Sequence, residues 1–169
     1  MISIETPRLF LREINEDDLP HLLAIYTQKE NMRYVSNGKY NWTLEELREK
    51  YNRINKEYCE QIGIFVVVLK ENGTLIGEGG LFNSFDDNSI LELGYIIDTV
   101  YWNQGFGSEI CRGLIHYSFN RLKTRKVVAR MYADNLASVR LCEKMGMTKV
   151  ESGQTEEGHI YYRYELSTL

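Results

Sequence analysis

The densest chemistry in this chain lies in one strand-to-helix passage, Glu92-Leu93-Gly94-Tyr95-Ile96-Ile97-Asp98-Thr99-Val100-Tyr101-Trp102-Asn103-Gln104-Gly105-Phe106-Gly107-Ser108. A buried strand runs through a short loop into a helix start carrying two glycines. Helix starts expose unpaired N–H groups and a partial positive charge, so they receive phosphate groups well. Glycine lets backbone approach an anion closely, because it has no Cβ. A glycine pair also suits an ordinary tight turn. A second polar helix start, Asn135-Leu136-Ala137-Ser138, follows the next strand. Two adjacent strand–helix units open a cleft where their strands part, a usual place for ligands in such sheets. Within the passage, strand alternation puts Glu92 on the face of Ile90, Gly94 and Ile96. A buried carboxylate there reads as a general base with a raised pKa, or as one half of an ion pair with Arg or Lys.

These residues need elements to hold them. Arg8 to Ile14 alternates loosely and predicts a first strand. Asn15 before Glu16, Asp17 and Asp18 marks a helix start, followed by the stripe Leu19, Leu22, Leu23, Tyr26. Gln28 to Asn41 reads as a loop or short helix. Thr43 and Glu46 have capping-box spacing and open a helix running through Tyr58. Three strands follow, Ile64–Leu69, Leu75–Asn83 and Ile90–Ile97, with turns at Asn72-Gly73 and at Asp86 to Ser89. After Gly107 the period becomes helical through Ile110, Leu114, Ser118 and Leu122. Lys126–Tyr132 reads as a strand and Leu136–Met145 as a helix stopped by Gly146. Val150–Thr155 and His159–Leu166 close as a hairpin. The order predicts an α+β fold, a mixed sheet with helices on both faces.

The 169 residues fit a single domain spanning 1–169. A net charge of −4 argues against nucleic-acid binding through a basic surface. The run Arg121, Lys123, Arg125, Lys126 reads as a solvated helix end. Cys59, Cys111 and Cys142 show no CxxC spacing, so neither a disulfide framework nor a metal site is expected. The opening residues lack a signal-peptide pattern, and the longest apolar run, Ile64 to Leu69, is far below the ~20 residues of a membrane helix. A soluble, cytoplasmic protein with no membrane partner is the expectation.

Trp102-Asn103-Gln104-Gly105-Phe106-Gly107, Asn135-x-x-Ser138 and Lys144-Met145-Gly146-Met147 together resemble the GCN5-related N-acetyltransferase (GNAT) superfamily. Thr6-Pro7-Arg8-Leu9-Phe10-Leu11-Arg12 is similar to its ribosomal-protein alanine acetyltransferase (RimJ/RimL-like) branch, with spermidine acetyltransferases as close relatives. The resemblance covers nearly the whole chain. It implies a mostly antiparallel sheet of about seven strands, splayed to form an acyl-CoA cleft. Trp102, Asn103, Gln104, Gly105, Phe106, Gly107 and Ser108 would hold the diphosphate of acetyl-CoA through backbone N–H groups. Tyr95, Ile96 and Ile97 would pair with the pantetheine arm, and Asn135 would hydrogen-bond it. Trp102 departs from the Gln or Arg often found at that position, although aromatic residues are common there in this branch.

The implied reaction moves an acetyl group from acetyl-CoA to a primary amine by direct attack on the thioester. It requires a base, an oxyanion partner and a proton for the leaving thiol. Glu92 matches the position often proposed as base, frequently through water, and the N–H of Ile96 or Ile97 would face the oxyanion. Many superfamily members carry a tyrosine seven residues after the motif asparagine, where this chain has Cys142. Ser138 resembles a serine proposed as the acid, and also reads as part of a helix cap; Cys142 reads as acid or as packing. Tyr95 suits an acyl pocket or the core. His159 suits substrate contact or an exposed strand end. Tyr34, Tyr40 and Trp42 suit an acceptor pocket or a staple for their loop. The acceptor would be a protein N-terminus, a polyamine, an amino acid or an antibiotic, and a homodimer is one state open to the chain. Two other functions compete. A non-catalytic acyl-CoA sensor is suggested by Cys142; a nucleotide module is disfavoured by the absence of GxxxxGK[ST] and GxGxxG.

Overall fold

Strand β3 (Gly63–Leu69) is apolar without interruption because both its faces are covered. Phe65 and Val67 enter one core cluster, while Ile64 and Val66 enter the other. The computed structural model describes residues 2–84 and 90–168. The expected turn at Asp86 to Ser89 lies outside the described residues.

Around β3 the other elements are β1 (Ser3–Glu5), β2 (Leu9–Glu13), β4 (Leu75–Asn83), β5 (Leu91–Ile97), β6 (Lys126–Tyr132), β7 (Thr148–Gln154) and β8 (Ile160–Ser167). They form one eight-stranded sheet in the order β1-β2-β3-β4-β5-β6-β8-β7. All neighbours are antiparallel except β5 and β6. The sheet has one strand more than the seven or so expected. Strand β1 is only three residues long, too short for alternation to reveal.

Helices α1 (Leu19–Tyr26), α2 (Lys29–Met32) and α3 (Leu44–Ile54) precede β3; α4 (Phe106–Asn120) and α5 (Leu136–Lys144) flank β6. The predicted starts are met by real caps. Asn15 Oδ1 accepts the N–H of Asp17 at 2.9 Å, and Asp18 accepts the N–H of Asn15 at 2.9 Å. Thr43 and Glu46 close a reciprocal capping box before α3. That helix ends at Ile54, not near Tyr58, because residues 55–60 tighten into a 3-10 turn. Helices α1 and α3 supply Leu22, Tyr26, Leu47 and Tyr51 to one face of the sheet. Helix α4 supplies Phe106, Ile110 and Leu114 to the other, joined by Cys142 of α5.

Candidate active site

Parallel strands β5 and β6 pair only at Leu91 with Val127, Glu92 with Val128 and Leu93 with Ala129. Strand β5 continues to Ile97 and β6 to Tyr132, so beyond Leu93 the two diverge. A cavity of about 900 Å³ fills the gap and passes from the α5 side of the sheet to the α1–α3 side. Six of the residues expected to take part in catalysis or cofactor binding line it: Glu92, Tyr95, Ile96, Asn135, Ser138 and Cys142.

The glycine loop sits beside this cavity rather than inside it. Ile97 faces the core, and Trp102, Asn103, Gln104, Gly105, Phe106, Gly107 and Ser108 are absent from the cavity lining. The Trp102 indole donates to the Ile97 carbonyl at 2.7 Å, which ties the loop to the strand end. Asn103 (φ 59°) and Gly105 (φ 82°) both adopt left-handed backbone. Gly105 is the N-cap of α4 and no side chain caps that helix, so its first-turn N–H groups are left to an external acceptor. Gly107 joins loop to cavity. A Cβ placed there would stand 3.2 Å from Leu141 Cδ1 and 3.6 Å from the Tyr95 hydroxyl.

Glu92 is buried, at 5% exposure, on the α1–α3 face. Arg130 Nε lies 3.8 Å from its Oε2, and the Ser84 hydroxyl donates to the same oxygen at 3.4 Å. The ion pair foreseen as an alternative therefore exists, with Arg130 as the cation. Asn135 Oδ1 accepts the Ser138 N–H at 3.3 Å, so the asparagine caps α5. Burial pushes the Tyr95 phenol well above its ordinary value, and the nearby Ser138 side chain opposes that rise. Burial first, and Glu143 second, push the Cys142 thiol up to about 12. Tyr34 and Trp42 line the cavity, whereas Tyr40 is exposed outside it. His159 packs against the Tyr132 ring at 5.0 Å and does not line the cavity.

The structure adds a buried group with no counterpart among the predicted residues. Glu78, 4% exposed, accepts hydrogen bonds from the Tyr26 hydroxyl at 2.6 Å, from Lys50 Nζ at 3.0 Å and from the Tyr51 hydroxyl. Burial, then the charge of Glu78, push both tyrosines far above their ordinary value. Glu78 pairs with Ile96 across β4 and β5, which puts this group on the cavity wall beside the splayed strand end. A glutamate inside the apolar run of β4 was the visible signal; its partners come from helices far away in sequence.

No helix among the described residues is long and apolar enough to cross a membrane. Residues 8–148 match the family model described as an acetyltransferase (GNAT) domain. The chain is 31% identical to the uncharacterized N-acetyltransferase YoaA of Bacillus subtilis (strain 168) over 148 residues, 86% of this chain and 82% of that one. Its fold resembles a GNAT-family acetyltransferase from Bacillus anthracis, with a TM-score of 0.85 at 22% identity over 98% of both chains. It also resembles RimL, a ribosomal L7/L12 alpha-N-protein acetyltransferase solved with coenzyme A, with a TM-score of 0.83 at 18% identity over 98% of this chain and 97% of that one.

Proposed function

This chain belongs to the GNAT acetyltransferases, and from that premise we propose that it acts as one domain over residues 1–169, passing acetyl from acetyl-CoA to a primary amine by direct attack on the thioester. A protein N-terminus or a polyamine is the acceptor class, and the cytoplasm the compartment. The observation that carries this reading is the β5–β6 ladder that stops at Leu93, leaving the Gly94–Ile97 edge beside a cavity.

The residues suit the donor. Its diphosphate fits the uncapped start of α4, where Gly105 and Gly107 admit a close anion. Its amide-bearing arm fits the open strand edge at Tyr95, Ile96 and Ile97. The Nδ2 of Asn135 supplies a further donor, since its Oδ1 is engaged in the cap. Bound acetyl-CoA supplies an activated thioester. Glu92 then takes the amine proton, directly or through water, with Arg130 giving the countercharge that a buried carboxylate needs. The Ile97 N–H, on the strand edge that faces away from β4, stabilises the developing oxyanion.

Ser138, on the cavity wall, is the candidate to donate a hydrogen bond to the departing sulfur, and the thiolate then takes its proton from water. Burial makes the Cys142 thiol hold its proton more tightly than an ordinary thiol does. Cys142 is therefore assigned to packing.

Mixing the protein with acetyl-CoA and a panel of amines, and following thiol release, tests the reading. Release with at least one amine is expected. Tight acetyl-CoA binding with no release for any acceptor would instead identify a non-catalytic sensor.

A further inference from the structure

We propose that Arg8, from the opening segment of the chain, is a positioning residue that holds the α4 loop in the shape that receives the diphosphate. The inference rests on the assignment of residues 102–108 to that group.

The loop needs holding. Two of its residues, Asn103 and Gly105, occupy left-handed backbone, and no side chain caps the helix that follows. Its neighbours Asn103 to Gly105 are exposed, so little packing fixes their carbonyls and N–H groups. An anion site made of backbone dipoles binds tightly only if those dipoles are already aimed; otherwise ordering the loop is subtracted from affinity.

Arg8 grips both sides of Gly105. Its Nη1 donates to the Gln104 carbonyl at 3.1 Å, and its guanidinium lies 4.3 Å from the centroid of the Phe106 ring. A Cβ on Gly105 would stand 3.4 Å from Nη2, so the side chain passes directly beside the turn.

Arg8 is itself anchored. Its Nε donates to Glu109 Oε2 at 2.7 Å, and its backbone N–H donates to Glu109 Oε1 at 2.6 Å. The Thr6 hydroxyl donates to that second oxygen, also at 2.6 Å. Glu109 sits in the first turn of α4 and is buried at 9% exposure. Its burial would raise the carboxyl's pKa, but the hydrogen bonds from Thr6 and Arg8 outweigh that and hold it below the usual range. One buried carboxylate thus fixes the start of the chain and the start of α4 in a single frame, with Arg8 reaching from it to the loop. Arginine suits the task because its planar fork serves Nε and Nη1 partners together, which a lysine ammonium cannot do in that geometry.

The test compares wild type with Arg8→Met, Arg8→Lys and Glu109→Gln. Coenzyme A affinity is measured by titration calorimetry, and KM and kcat are measured with an active acceptor. Arg8→Met and Glu109→Gln are expected to weaken coenzyme A and raise the acetyl-CoA KM by about 10-fold, with kcat at saturating donor within about 2-fold. Arg8→Lys is expected not to restore affinity. Glu109→Gln keeps an oxygen for Thr6 and the Arg8 N–H while opposing the Arg8 side chain, so it decides the matter if Arg8→Met does not fold. Unchanged coenzyme A affinity in the folded variants, or full recovery with lysine, overturns the role of Arg8 alone. Wild-type protein that does not bind coenzyme A overturns the diphosphate assignment beneath it.

Discussion

Glu92 and Cys142 line the same cavity, yet their surroundings differ. Glu92 has a guanidinium 3.8 Å away and a serine hydroxyl on its carboxylate, both compatible with a charged oxygen awaiting a proton. Glu92→Gln should retain the fold and lower kcat by about 10²-fold or more, the usual contribution of a positioned base. A folded Glu92→Gln variant with wild-type kcat would remove that residue from the chemistry. Cys142 is packed among apolar groups and keeps its proton. Cys142→Ala should cost about 1 kcal/mol of stability and change kcat by less than about 3-fold, measured by thermal melts and steady-state rates. A larger fall in kcat would restore it as the acid. Glu92 could be singled out from alternation alone, because a lone carboxylate on an apolar strand face stands out. Its cation could not be, since Arg130 reaches it from another strand across a parallel pairing that sequence does not encode locally. The same holds for Glu78, whose tyrosine and lysine partners lie on α1 and α3.

At the scale of elements, the starts and stops were the most legible features. Asn15, Thr43 and Gly146 each act through a local hydrogen bond or a left-handed turn within a few residues of themselves. Strand β1 and the 3-10 turn after α3 were not legible: the first is too short to show a period, and the second continues the apolar spacing of Leu47, Tyr51 and Ile54 through Tyr58. The splay of β5 from β6 was expected only by resemblance, because register between distant strands leaves no local trace. Gly107 lies where helix, cavity and Leu141 converge. Gly107→Val should crowd α4 against α5, cost about 1–3 kcal/mol, and abolish the thermal stabilisation that coenzyme A confers. A variant that keeps the full ligand-induced shift would place the anion elsewhere.

The molecule as a whole should lose stability at both ends of the pH scale for identifiable reasons. Burial would raise the Asp18 carboxyl, but hydrogen bonds from Arg12 and the Asn15 backbone win, and its folded pKa lies below the ordinary 3.8. Glu109 is likewise held below 4.5. A depressed folded pKa gives stability that is present above the unfolded value and lost as pH falls through it, so melting temperature should drop below about pH 4. Tyr26 and Tyr51 are raised above their ordinary 10.0, chiefly by burial. Their contribution is complete below that value and declines as pH climbs past it. Asp18→Asn should flatten the acid limb while leaving the alkaline limb in place; an unaltered acid limb would remove Asp18 from the account.

Neighbouring strands β4 and β5 share seven residue pairs, as do β6 and β8, but β5 and β6 share three. The sheet therefore has a seam between β5 and β6, beside the cavity. A molecule whose amides supply the missing rungs rivets the two halves together, and its free energy of binding is then also energy of cohesion. Loading such a protein would slow amide hydrogen exchange on both banks of the seam at once, including residues the ligand never touches.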